Sequence, residues 1–216
     1  MHPDWLSNAY LVADEEGGTA VFVDSGAPLA RLHDAVDRLG LTVTHLLTTH
    51  ADHDHVAGDG ELRRRYGLEI VKGPLETGGL RFEALETPGH KDDHLTFVAN
   101  GEAAFTGDVL FKDAVGGGDF AQIRDSVMSV LMKLPHEMRV YPGHTDETTI
   151  GGEWGQNPFV RVWRGEEAEG TERVSVGGTP ATLVVWSPDY DGKGKAWVRF
   201  EDGRDAIVGG SRVERG

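Results

Sequence analysis

Val43-Thr44-His45-Leu46-Leu47-Thr48 leads, one residue later, into His50-Ala51-Asp52-His53-Asp54-His55. The first run is apolar and β-branched and reads as a buried strand, while Ala57-Gly58 followed by Glu61-Leu62-Arg63 opens a helix. A strand that ends in imidazoles and carboxylates delivers them to a sheet edge, where a rigid base can hold a ligand or metal. Asp and His also populate loops that bind nothing, but metal-ligating side chains at this density are unusual.

On the N-terminal side, residues 9–14 and 19–24 are two strands joined by the hairpin signal Glu15-Glu16-Gly17-Gly18, the second closing at Asp24-Ser25-Gly26. Leu29, Leu32, Val36 and Leu39 recur at helical spacing with Gly40 as the stop, so 28–39 is an amphipathic helix that leaves His33 at the surface. On the C-terminal side, strands at 68–71 and 80–85 lead to Thr87-Pro88-Gly89-His90. Strands 95–99 and 103–106 pair across Asn100-Gly101 and deliver Gly107-Asp108. Val127, Val130, Leu131 and Leu134 form a helix stopped before Pro135, and strand 139–141 runs into Pro142-Gly143-His144. Repeatedly a strand ends, a glycine turn follows, and a His or Asp stands in it. Strands in runs with interspersed helices predict two sheets covered by helices on their outer faces.

Composition narrows the chemistry. A net charge of −15 opposes nucleic-acid binding, and the one compact basic run, Arg63-Arg64-Arg65, reads as an exposed helix face. No apolar run approaches the ~18 residues a bilayer span needs. The start, Met1-His2-Pro3-Asp4-Trp5, lacks the blocks of a signal peptide, so no membrane and a cytoplasmic location are expected. The chain has no Cys, so a metal here is held by His and carboxylate. Gly116-Gly117-Gly118-Asp119 lacks the Lys-Ser/Thr of a phosphate loop and reads as a mobile loop near the cleft. His45 reads as a satisfied core histidine.

Past about residue 165 the texture changes. Glu166-Glu167-Ala168-Glu169-Gly170 is a polar linker, and strands at 181–186, 196–200 and 205–208 with turns at Asp191-Gly192 and Asp202-Gly203 make a small all-β unit. Trp154, Trp163, Trp186 and Trp197 supply this half with surface to bury.

Collected from the strand ends, His50, Asp52, Asp54, His55, His90, Asp108 and His144 can enclose two divalent ions, with Asp108 long enough to bridge them. At this point the chain resembles the metallo-β-lactamase superfamily and its glyoxalase II-like branch. The resemblance rests on Thr49 to His55, Thr87-Pro88-Gly89-His90, Phe105-Thr106-Gly107-Asp108, Tyr141-Pro142-Gly143-His144 and the Asp24-Ser25-Gly26 turn, with Thr148-Thr149-Ile150-Gly151 and Asn157-Pro158-Phe159 following in order. It implies an α/β (α+β) fold, an αββα sandwich over residues 1–165, with the tail at 172–216 resembling a small SH3-like barrel. It further implies that His50, Asp52 and His90 hold one metal and Asp54, His55 and His144 a second, with Asp108 between. Zinc is the expected ion, with iron or manganese as alternatives, and Asp54 orients the nucleophile and shuttles a proton. His94 is assigned to substrate contact or loop structure.

One position departs from the family, whose loop reads His-x-His-x-Asp-His: here Asp52 stands at the second His and His53 follows it. Alternation in an extended loop points His53 away from the metals. Asp52→His is then expected to keep or raise metal content and to lower the kinetic pKa.

Three functional readings follow. The first is hydrolysis of a small thioester or ester (or lactone) by a metal-activated hydroxide. The second is a persulfide dioxygenase-like oxidation at a single Fe(II) held by His50, His90 and Asp108. The third is a non-catalytic binding protein on an enzyme scaffold. The partner is a small-molecule substrate, and the tail serves either as a packing appendage or as a surface for partner binding or homodimerisation.

Overall fold

β1 (Tyr10–Ala13) and β2 (Thr19–Val23) pair antiparallel, and α1 (Ala30–Leu39) then carries the chain to β3 (Thr42–Leu47), parallel to β2. Two short helices, α2 (His53–Val56) and α3 (Asp59–Tyr66), precede β4 (Glu69–Val71), which completes a four-stranded sheet ordered β1-β2-β3-β4. The computed structural model describes residues 2 and 4–216; Met1 and Pro3 lie outside the described residues. A second sheet has six strands, β5 (Leu75–Thr77), β6 (Leu80–Glu86), β7 (Leu95–Ala99), β8 (Ala103–Gly107), β11 (Arg139–Pro142) and β12 (Thr148–Thr149), in the order β12-β11-β8-β7-β6-β5. Between β8 and β11 come the two-stranded β9 (Leu110–Phe111) and β10 (Ala114–Val115) and the helix α4 (Phe120–Asp125). After β12 come α5 (Ile150–Gln156) and α6 (Pro158–Trp163).

The period-two alternation of each strand decides the layering. Val21, Val23 and Leu47 point inward and meet Phe82, Phe97 and Phe105 of the second sheet. Their neighbours Ala20, Phe22 and Leu46 point outward against Leu29, Val36 and Leu62 of the α1–α3 layer. On the other flank Val98, Ala104 and Val140 meet Ile123, Val127, Leu131, Ile150 and Phe159. The result is the expected sandwich of two sheets between helical layers. Each fully buried Phe contributes about 1.5–3 kcal/mol through area removed from water.

Several local readings change. The helix around Val127 is α4 followed by a π-helical turn at Ser126–Val130 and a 3-10 turn at Leu131–Lys133. The wider turn brings Val127 and Leu131 to one buried face. His33 is 6% exposed, not superficial: its ring nitrogens bond Tyr66 Oη and Glu61 Oε1, both at 2.8 Å, tying α1 to α3. His45 is only half-buried, and its Nδ1 has no hydrogen-bond partner among the described residues. The glycine loop is pinned in place: Asp119 N–H donates to the Gly89 carbonyl at 2.8 Å, and Gly118 bridges Ile207.

The tail forms β13 (Glu172–Val176), β14 (Thr179–Ser187), β15 (Lys195–Phe200), β16 (Asp205–Gly209) and β17 (Val213–Arg215), an antiparallel sheet ordered β16-β15-β14-β13-β17. Among the described residues of this sheet β16 pairs with β15 alone and β17 with β13 alone, so the two lie at opposite edges of the strand order. One face has its own core of Val174, Leu183, Ala196 and Val198. The other face sends Val184, Val185, Trp197 and Ile207 into the cluster that covers the second sheet. Residues 172–216 therefore share a core with the sandwich.

Candidate metal centre

Four imidazoles arrive from three strand ends and one helical turn, and each is oriented in the same way. His50 Nδ1 bonds Thr49 Oγ1 at 3.1 Å, His55 Nδ1 bonds Asp24 Oδ2 at 2.9 Å, His90 Nδ1 bonds the Gly117 carbonyl at 2.9 Å, and His144 Nδ1 bonds the Leu6 carbonyl at 3.0 Å. The tautomer in which every Nδ1 donates leaves every Nε2 lone pair facing inward, the form that a metal requires. The donor atoms of His50, Asp52 and His90 lie within 4.8 Å of one another, as do those of Asp54, His55 and His144. Asp108 lies between the triads, 3.3 Å from both His55 Nε2 and His144 Nε2 and 3.8 Å from His90 Nε2. The fold thus brings together all seven residues read from the sequence.

The 50–55 segment reaches this arrangement by a route the sequence reading did not foresee. His53–Val56 is a helical turn, not an extended loop. Residues ~100° apart around a helix, not alternation, send Asp54 and His55 inward while His53 stays exposed against the edge of Trp5. Glycines make the close approaches. A Cβ at Gly26 would fall 1.5 Å from the Asp54 carbonyl oxygen, and one at Gly143 would fall 2.2 Å from Asp108 Oδ1.

Charge in the site is concentrated, and its inner members are buried. Burial pushes His50 down to about 3, helped by the neighbouring His55. Burial also works to lower His55, but contacts with Asp108 and Asp24 on either side overcome it and raise the group to about 11. Burial works to raise Asp108, and His144 and His55 reverse it, holding the carboxyl well below its ordinary value. The carboxylates therefore demand cationic charge at the point where the Nε2 atoms converge.

Three residues near the cluster stood outside the sequence reading or were given other roles there. Asp24, buried at the end of β2 with φ 53°, accepts Thr49 N–H and Oγ1–H, both at 2.8 Å, as well as the His55 bond. That set fixes the β3 exit; the Asp24-Ser25-Gly26 turn was visible, but its bond to His55 joins positions 31 apart. Lys91 Nζ lies 2.8 Å from Asp52 Oδ1, and Asp52 Oδ2 is 3.2 Å from His90 Nε2. Asp52 is held below its ordinary value: partial burial raises it, and bonds from Lys91 and His90 outweigh that. His94, offered above as a substrate contact, is 1% exposed and lies beneath the cluster. Its Nε2 accepts the Asp108 backbone N–H at 3.0 Å, so Nδ1 carries the proton and donates to Thr87 Oγ1 at 2.9 Å. Both nitrogens are occupied, which leaves none for a substrate.

A family model described as the metallo-β-lactamase superfamily matches residues 2–78. ETHE1 from Myxococcus xanthus superposes with a TM-score of 0.66 at 33% identity, covering 74% of this chain and 82% of that one. The chain belongs to the metallo-β-lactamase superfamily. Within it, hydroxyacylglutathione hydrolase GloC of Haemophilus influenzae is 29% identical over 196 residues, 71% of this chain and 92% of that protein. The protein TTHA1623, in a di-iron-bound form, superposes with a TM-score of 0.62 at 29% identity, covering 74% of this chain and 97% of that one. Against a longer relative, the hydroxyacylglutathione hydrolase of Rhodopseudomonas palustris at 35% identity, the chain spans 61% of the relative's length and 62% of its own.

Metallo-β-lactamase superfamily members bind divalent metals, and the residues of this chain fit one. His50 Nε2, His55 Nε2 and Asp108 Oδ1 are buried without any hydrogen-bond partner among the described residues. Buried polar atoms left without a hydrogen-bond partner cost free energy in a site that binds nothing. No helix among the described residues is long and apolar enough to cross a membrane.

Proposed function

We propose that this chain is a binuclear metal-dependent hydrolase that cleaves a small thioester or ester. The observation that carries the reading is the convergence of four oriented Nε2 atoms on two triads flanking Asp108. The hydroxyacylglutathione hydrolase relatives support the thioester class. In this reading His50, Asp52 and His90 would hold one ion and Asp54, His55 and His144 the other, with Asp108 placed between the two sets. Bound divalent ions supply a water whose pKa falls to about 7 and a Lewis acid for the carbonyl oxygen.

The rest is done by the chain. Asp54, about one-third exposed and 3.5 Å from His144 Nε2, faces the cleft and holds the proton of the attacking water. It then releases that proton to the leaving sulfur or oxygen. Asp24, Gly117, Thr49 and Leu6 keep the imidazoles from turning, so no reorganisation accompanies the reaction. His94 fixes the Asp108 backbone. Zinc is the ion we expect, and the substrate is a small molecule. Assay of metal-loaded protein against thioesters, esters, lactones and phosphodiesters tests the reading; full metal occupancy with no turnover of any carbonyl substrate would sink it.

A second reading, oxidation at a single iron, draws support from the likeness to ETHE1 and from the approach of His50, His90 and Asp108 to one another. Elemental analysis of protein purified without added metal separates the two. One iron with oxygen uptake on a persulfide favours oxidation; two zinc or manganese ions favour hydrolysis.

A further inference from the structure

The C-terminal sheet reaches the metal centre at both ends. At one end, Ile207 of β16 bridges Gly118, the neighbour of the Gly117 carbonyl that holds His90. At the other end, the β14–β15 hairpin lays Tyr190 flat on His144, with ring centroids 4.1 Å apart and planes inclined by 10°. Phe111 packs edge-on against both rings, at 5.8 Å and 5.6 Å.

This hairpin is anchored rather than loosely draped. Ser187 Oγ donates to the Asp113 carbonyl, and Lys195 Nζ pairs with Asp189 Oδ2 at 2.9 Å, the two side chains only 11% and 4% exposed. A pair so deep adds little net stability but is costly to break, so it holds Tyr190 at one place. The Tyr190 ring is partly exposed, and its hydroxyl makes no hydrogen bond among the described residues. A phenol ordinarily titrates at about 10, so this hydroxyl is a donor at neutral pH.

We propose that Tyr190 completes the active site from the C-terminal unit. Its ring holds the plane of His144, and its O–H donates to an oxygen of the substrate bound over Asp54, His55 and His144. The donor role rests on the hydrolase reading; the positioning role does not. By this inference the tail is part of the site and not a covering appendage.

Two substitutions separate the roles. Tyr190→Phe keeps the stack and removes the donor; Tyr190→Leu removes both. Cobalt(II) titration, followed by its visible absorption, reads the geometry and affinity at His144 without any substrate. Tyr190→Phe is expected to match wild type in that titration and in melting temperature, yet to lose about tenfold in kcat/KM, the size of one hydrogen bond. Tyr190→Leu is expected to weaken the second cobalt ion and change its spectrum as well. Because the Phe variant keeps the packing, a fold defect confined to Leu would leave the Phe kinetics to decide. Kinetics of Tyr190→Phe equal to wild type would overturn the donor role, and a cobalt titration of folded Tyr190→Leu equal to wild type would overturn the positioning role. If the wild type hydrolyses nothing, the hydrolase reading fails by itself, and the cobalt titration still tests the stack.

Discussion

Lys91 grips one oxygen of Asp52 at 2.8 Å and leaves the other facing His90 at 3.2 Å. The pair carries no net charge and offers one donor atom, which is what the neutral imidazole usual at this position would offer. The departure from the family pattern at Asp52 is therefore matched by a cation 39 residues downstream.

This pairing revises the expectation for Asp52→His. Alone, the substitution leaves the Lys91 ammonium beside the metal, and metal affinity should fall. The double variant with Lys91→Met should recover it, with a coupling of about 0.5–3 kcal/mol between the two changes. Competition against a chromophoric chelator measures all four affinities; strictly additive effects would show that the two side chains act independently.

The metal-free protein should be most stable near neutrality. Burial depresses His94 to about 4 and His50 to about 3, against an ordinary value of 6.5. Their contribution is present above 6.5 and lost as pH falls through that window, by roughly 3 kcal/mol for His94. His55 is raised to about 11, so its contribution is complete below 6.5 and lost as pH rises towards 11. Urea unfolding of chelator-treated protein between pH 4 and pH 9 is expected to trace a dome. His94→Gln should flatten its acid limb.

Glu153 supplies a second pH effect, away from the metal. Its carboxylate is 1% exposed and accepts Thr148 Oγ1–H, Asn157 Nδ2–H and Asp113 N–H. Burial raises it above its ordinary 4.5 despite these bonds. For a carboxyl raised in the folded state, its contribution to stability is greatest below 4.5 and declines as pH rises through the folded value. Glu153→Gln can keep all three partners, with its NH₂ donating to Thr148. Thermal melts should then show the variant free of the decline above 4.5 that the wild type suffers; parallel curves would rule out a titration at Glu153.

Because Trp197 lies 4% exposed in the cluster shared by tail and sandwich, Trp197→Ala should cost about 3–5 kcal/mol, and Asp205, which accepts the indole N–H at 2.7 Å, keeps only its pair with Arg199 at 2.9 Å. Denaturation followed by fluorescence and by circular dichroism should give one coincident transition. Two separate transitions would mean that residues 172–216 fold on their own.

The amino-acid sequence alone determined the alternation of strands and helices and the seven polar residues at strand ends. Both are local signals: a period of two or 3.6 in apolar residues, and a His or Asp in a glycine turn. The order of elements then left few topologies in which those ends could meet. Tertiary structure alone decided which atoms face one another. Asp24 with His55, Lys91 with Asp52, His94 under Asp108 and Tyr190 on His144 join residues that share no periodicity, so nothing in a window of sequence marks them. The helical turn at His53 and the burial of His33 were decided likewise, by contacts across the fold that outweighed local propensity.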